Sequence, residues 1–304
     1  MTTQTDVANC GGCGQACASG DFCAAGACVP LTSLWLATGV TVTKLAVDDS
    51  GVYWTDGSAN VQSVGLTGGT VVTLASSQAQ PSGIALDDTY VYWSNTLGGA
   101  IMRAPKDGSG SPAVVATATS PRDIGIYGDN VYWIDSSANV WQSAKAGGGT
   151  PAIAATPDHM NEILVANARG VFVFAIGANV GIYCITAGWS VMASGLSNAL
   201  VDDGQHLFSD LSGQPSAVLA SIDESTGKIS GYYTGVNGDS LYPIAANACG
   251  VFLSHGGLML PSAQFPVSLV TSLTPQSLTL QSGATLGGYF YFYANQSIGR
   301  LPQP

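Results

Sequence analysis

A short strand motif recurs along this chain at nearly constant spacing. GVYWTD (Gly51 to Asp56) returns as YVYWSN (Tyr90 to Asn95) and NVYWID (Asn130 to Asp135). It then degrades to GVFVFA (Gly170 to Ala175), HLFSD (His206 to Asp210), GVFLSH (Gly250 to His255) and GYFYFY (Gly288 to Tyr293). The equivalent residues Val52, Val91, Val131, Val171, Leu207, Val251 and Tyr289 stand about 40 residues apart, the period of a repeat built from one four-stranded sheet.

Each unit has the same internal order. An apolar strand such as LAVDD (Leu45 to Asp49) or IALDD (Ile84 to Asp88) leads into a tight acidic or glycine turn and then the VYW strand. A Gly/Ser/Asn loop, a third strand such as NVQSVGL, a GG or DG turn and a final strand such as TVVTLAS complete the unit. A TIM barrel repeats at a similar length but needs helical periodicity between its strands, and none is present. The expectation is an all-β, seven-bladed β-propeller of four-stranded blades over residues 31–304. Its last unit runs out after SIGRLPQ (Ser297 to Gln303), leaving TSLWLAT (Thr32 to Thr38) to supply the missing outer strand, within 31–38. Such closure removes an open sheet edge.

Composition follows from that architecture. Only 9% of the 304 residues are charged and 39 are Gly, against about 25% and 7% in an average domain. Blades buried on both faces need few charges, and turns need glycine. Eight Lys and Arg against 19 Asp and Glu give a net charge of −11. This excludes a clustered cationic footprint for nucleic acid. The uncharged stretch from Gly170 to Val201 imitates a membrane helix, but Gly177, Asn179 and Gly181 interrupt it and the repeat assigns it to strands.

Five of the seven cysteines, Cys10, Cys13, Cys17, Cys23 and Cys28, crowd into residues 1–30. They read as a small disulfide-stapled module, which persists in an oxidising compartment. A zinc knuckle at Cys10-x-x-Cys13 is the rival reading, weakened by the lack of a second well-spaced pair and of a histidine. Met1-Thr-Thr-Gln has neither a basic nor an apolar leader region, so an export signal is expected upstream. The odd cysteine needs a partner elsewhere. Cys184 and Cys249 fall in non-adjacent blades and are not expected to pair with each other. Of these two, Cys249 is the one the module is placed to reach.

Two family resemblances attach to these segments. VYWTD, VYWSN and VYWID resemble the YWTD repeats of low-density-lipoprotein-receptor-type propellers, which have six blades. TDVANCGGCGQACASGDFCAAGACV is similar to the Stig1-like cysteine-rich segments of secreted myxobacterial proteins. There a cysteine usually precedes the run, which implies a partner for the odd one lost upstream. Neither resemblance brings catalytic residues.

Propeller geometry gathers particular side chains. The loops entering the innermost strands place Lys44, Arg122, Asp123, Glu162, Asn198, Tyr242 and Gln276 around one mouth of the central channel, with His159 and Asn161 just above. An outer ring of loops adds Asp56, Asn95, Asp135, Asp210 and His255. His159, Glu162, Asp123 and Arg122 are the residue types for acid–base work or anion recognition. The plainer reading is that they pair with one another and tie blades together. The repeated Asp-Asp turns at 48–49, 87–88 and 202–203 suit Ca²⁺ by residue type, yet recurrence at one blade position favours turn chemistry. Trp54, Trp93 and Trp133 recur at one position and are expected in the core. Trp35, Trp141 and Trp189 do not, and exposed examples would stack on sugar rings.

No nucleophile elbow, H-E-x-x-H or P-loop occurs. The leading expectation is a secreted or cell-surface, non-enzymatic binding or scaffold propeller with no cofactor. Its partner would be an extracellular protein, a glycan or a small molecule. The alternative is a lyase- or lactonase-like enzyme using a divalent cation in the central channel. It shares only blade count with virginiamycin B lyase.

Overall fold

The computed structural model describes residues 15–16, 21–24, 27–30, 35–57, 59–156, 163–175, 181–188, 190–192, 200–211, 218–234, 243–247, 250–253, 257–259, 271–272, 282–286, 289–294 and 296–302. Within them lie seven four-stranded antiparallel sheets and one two-stranded hairpin. The sheets are numbered here as blades one to seven in chain order. Their innermost strands are Lys44–Asp48, Pro81–Leu86, Ile124–Tyr127, Leu164–Asn167, Val201–Asp202, Pro243–Asn247 and Ser282–Leu286. These seven strands together wall a central channel. The second strands are Gly51–Thr55, Tyr90–Asn95, Asn130–Ile134, Gly170–Ala175, His206–Leu211, Gly250–Leu253 and Tyr289–Ala294. Every repeated motif therefore occupies the same place in its blade. Blade seven is completed by Trp35–Thr38, which pairs with the strand Ser297–Pro302.

The VYW motif packs as its two-residue period requires. Side chains alternate between the faces of a strand, and here both faces meet another blade. Val52 and Trp54 pack towards blade seven, against Tyr291 and Ile298. Tyr53 turns the other way and joins Trp93 of blade two. Tyr92 in turn joins Trp133 of blade three. Trp54 and Trp93 are 0% exposed and Trp133 is 1% exposed, so the three recurrent tryptophans are core residues. Full burial of such rings is the largest apolar contribution a strand of this length can make.

The residue after VYW has its own task. The Thr55 hydroxyl donates to the Ser82 carbonyl at 2.7 Å, and the Ser94 hydroxyl donates to the Arg122 carbonyl. Each fastens the innermost strand of the following blade. Near the axis the strands approach so closely that side chains must be absent. A Cβ on Gly83 would lie 2.6 Å from the Arg122 carbonyl oxygen, and one on Gly125 would lie 2.5 Å from the Ala166 Cβ.

The hairpin is Asp21–Ala24 with Ala27–Pro30, and places Cys23 opposite Cys28 in register. Cys28 is disulfide-bonded. Cys10, Cys13, Cys17 and Cys249 lie outside the described residues. Cys184 ends the third strand of blade four, buried and with a free thiol. The apolar run from Gly170 contains the strands Gly170–Ala175 and Gly181–Cys184. Among the described residues no helix is long and apolar enough to cross a membrane.

Candidate functional site at the channel and its mouths

The channel encloses about 650 Å³. Its waist is apolar, with Ala46, Ile84, Ile124 and Leu164 on the wall, while Lys44 stands at one mouth and Asp202 and Asp203 at the other. The polarity follows from chain direction. Each innermost strand starts at the first mouth, and in blades one, two and five it ends at the second in an Asp-Asp pair, at 48–49, 87–88 and 202–203.

At the first mouth, Lys44 forms an ion pair with Asp123, linking blade one to blade three past the intervening blade. The Asp123 carboxylate also accepts the Ile124 N–H at 3.0 Å and, from blade four, the Leu164 N–H at 2.9 Å. Its side chain is 7% exposed. Three donors in three blades thus converge on one carboxylate, which acts as a fastening for the ring. Of its proposed catalytic companions, Arg122 presents its carbonyl to the Ser94 hydroxyl and to the Gly83 N–H at 3.1 Å. His159, Asn161, Glu162, Asn198, Tyr242 and Gln276 lie outside the described residues.

The outer loops are organised by residues expected in that outer ring. Asp56 accepts the Asn60 N–H at 2.7 Å and its amide N–H at 2.8 Å. Asp135 repeats this with Asn139, at 3.0 Å for both, and adds the Trp141 indole N–H at 2.7 Å. DGSAN and DSSAN are therefore one Asp-x-x-x-Asn loop used twice. Asn95 donates to Gln78 at 2.9 Å. Asp210 lies in a second strand. Trp35 packs edge-on against Phe292 with centroids 5.7 Å apart. His255 and Trp189 lie outside the described residues.

The second mouth holds features that the sequence reading missed. At the seam of blades one and two, Asp48 pairs with Lys106, and at the next seam Asp87 pairs with Lys145 at 3.3 Å. Arg103 lies over the Tyr90 ring at 4.5 Å and donates to the Lys145 carbonyl at 2.9 Å. Arg300 repeats the arrangement over Tyr289, at 4.7 Å, and on the Leu66 carbonyl at 2.7 Å. Burial alone would raise the Asp48 and Asp87 carboxyls, but hydrogen bonds outweigh it. Lys106 and Ser50 lower Asp48; Tyr90, Thr89, Tyr92 and Lys145 lower Asp87.

The seam of blades four and five inverts this chemistry. Glu224 takes the place of the lysine, and Asn167 the place of the aspartate. The Asn167 amide donates to Glu224 and to Asp202, both at 3.0 Å. The Glu224 side chain is 0% exposed, and the Arg169 Nε stands 3.8 Å from its second oxygen, which accepts no hydrogen bond. Desolvation, reinforced by the neighbouring Asp202 charge, raises the Glu224 carboxyl to about 7. Desolvation raises Asp202 too. Among the described residues no cluster of three or more His, Cys, Asp or Glu is arranged to hold a metal ion.

No protein-family model matches the chain, and no curated protein matches it. Solved structures do. A Kuenenia stuttgartiensis hydrazine synthase is similar at 13% identity and a TM-score of 0.70, covering 90% of this chain and 99% of that one. A streptogramin B lyase is similar at 12% identity and 0.63, covering 88% and 95%. A nidogen/laminin complex is similar at 23% identity and 0.51, covering 63% and 79%. The chain has a β-propeller fold. Identities this low carry the fold and nothing of the activity, and enzymes and a binding complex both stand among these neighbours.

Proposed function

We propose that this protein is a secreted or cell-surface binding propeller, presenting the loops around the first mouth to an extracellular protein, glycan or small molecule. The observation that carries this reading is the employment of Asp123. A carboxylate held by Lys44, Ile124 and Leu164 is committed to fastening blades, so one of the groups suited to acid–base chemistry is already engaged. Asp56 and Asp135 are committed to their own loops in the same way. The Cys28 disulfide supports an oxidising compartment. The cysteine-rich segment serves as a spacer or adhesion appendage.

The test incubates the full chain with Mg²⁺, Ca²⁺ and Zn²⁺ in turn, with a lactone and a cyclic depsipeptide as probes. Native mass spectrometry then reads retained metal and probe mass, while immobilised glycans and matrix proteins read binding. Retention on a glycan or protein without chemical change of the probes is the expected result. Turnover abolished by Asp123→Asn or His159→Ala would establish an enzyme instead.

A further inference from the structure

Blades one, two and three answer one question differently. The indole N–H of the VYW tryptophan lies inside the seam with the preceding blade, where it wants an acceptor. In blade two, Trp93 donates to the Gln78 side-chain oxygen at 3.1 Å. Gln78 is held by its own N–H on the Ala59 carbonyl at 2.9 Å. The backbone equivalent in blade three is Ala118, whose N–H bonds the Gly99 carbonyl at 2.8 Å. In blade one it is Val40, bonded to the Gln296 carbonyl at 3.0 Å. Ala59, Gly99 and Gln296 all have positive φ, which confirms the alignment.

Neither Val40 nor Ala118 has a side-chain acceptor. The indole N–H groups of Trp54 and Trp133 are accordingly buried without a hydrogen-bond partner. In blade one the bulk of Val40 packs into the core beside Trp54. In blade three the small Ala118 leaves a cavity of about 290 Å³ at the seam with blade two. Its walls are Trp133, Trp141, Ala118, Thr117, Thr119 and Pro151. Trp141 is half-buried, and Asp135 fixes its ring through the indole N–H. The site therefore combines a fixed aromatic wall, a buried donor without an acceptor, two threonine hydroxyls and no charged lining residue.

We infer that this cavity is a binding subsite for the ring of a neutral pyranose sugar, taking the Trp133 N–H on a hydroxyl or ring oxygen and stacking on Trp141. A sugar matches the site because one face of its ring is apolar C–H surface while its edge carries acceptors. An anionic ligand would find no cation in the wall. The inference deepens the binding reading above and rests on it.

The decisive variant is Ala118→Gln, which imports the solution that blade two already uses. It supplies the missing acceptor, fills the cavity and retains the fold. Methyl glycosides of glucose, galactose, mannose and N-acetylglucosamine are titrated into the full chain, with tryptophan fluorescence and ligand-observed NMR as readouts. Saturable binding of at least one glycoside is expected, weakened at least tenfold by Ala118→Gln with no fall in melting temperature. Trp141→Ala should weaken it similarly. Lack of saturable binding by all four glycosides, or unchanged binding in Ala118→Gln, overturns the subsite and leaves the binding reading standing. Mass analysis of the same samples separates the two ideas. A glycoside bound at this cavity but converted to product keeps the subsite and defeats the non-enzymatic reading.

Discussion

Glu224 occupies in blade five the position that Lys106 holds in blade two. Both follow the third strand of their blade, and both donate the backbone N–H to the turn before the second strand, Lys106 to Thr89 and Glu224 to Gln205, each at 3.0 Å. Where the lysine neutralises Asp48 across its seam, the glutamate faces Asn167 and adds a second carboxylate beside Asp202.

That inversion predicts an unusual pH profile. The Glu224 carboxyl rises from 4.5 unfolded to about 7 folded. Its protonated form is therefore favoured by folding. The stability it contributes is fully present below pH 4.5 and lost as pH rises through about 7. The loss is on the order of 3 kcal/mol by linkage, and Asp202 adds to it in the same direction. Glu224→Gln should flatten the melting temperature over this window and stabilise the protein at pH 8. Thermal melts from pH 4 to 8 check this; an unchanged slope in the variant would refute it.

The seam of blades one and two responds in the opposite sense. Lys106 holds Asp48 below its usual range, so that contribution is present at neutral pH and lost as pH falls. Lys106→Met should cost about 1–2 kcal/mol at pH 7, since the Lys106 side chain is 10% exposed and Asp48 would be stranded half-buried. The deficit should shrink as Asp48 is protonated. Urea unfolding at pH 7 and pH 3 measures both values.

Asp123 and Lys44 should be unequal partners. Asp123→Ala orphans the buried Leu164 N–H as well as the ion pair, and is expected to cost about 2–3 kcal/mol. Lys44, at 38% side-chain exposure, should cost about 1 kcal/mol or less on replacement by Ala. Equal losses in chemical denaturation would show that the ion pair, not the Leu164 contact, is what matters.

Close approach of the innermost strands gives a steric prediction. Gly125→Ala drives a methyl into Ala166 and Leu164 and should cost about 2–3 kcal/mol. Gly57→Ala, with nothing within 4 Å of the new Cβ, should stay within about 0.5 kcal/mol. Denaturation midpoints of the two variants, compared with the parent, decide it.

The repeat made the blades legible because its strand period and its burial agree. Val, Tyr and Trp alternate along a strand that is covered on both faces, so the pattern survives even in GVFVFA, where Phe172 replaces the Tyr and Val173 the Trp. The closing strand at Trp35 was legible by counting strands. The roles of individual polar residues were harder to read. Repeat position alone puts Asp56 and Asp135 in the outer ring of loops, whereas DGSAN and DSSAN already carry the asparagines that they hold. Glu162 is a candidate from its place in the repeat, whereas nothing in the local sequence marks Glu224. Its meaning depends on alignment with Lys106 and Lys145, which requires the register of the third strands and the lengths of their turns. Gln78 and Ala118 each stand 15 residues before the VYW tryptophan of the next blade, but which linker residue reaches the indole N–H is known only from the folded chain.

The pairing of Trp35 with Gly299 also sets an order of events during synthesis. The first strand of the ring to be made is the partner of the last. Loop-closure entropy grows only logarithmically with the length spanned, so the finished clasp is thermodynamically tolerable, but contacts between such distant residues form late. Until Ser297–Pro302 emerges, Trp35–Thr38 has no sheet to join. The blades between them can assemble pairwise in the meantime, and the ring becomes a ring in its final step.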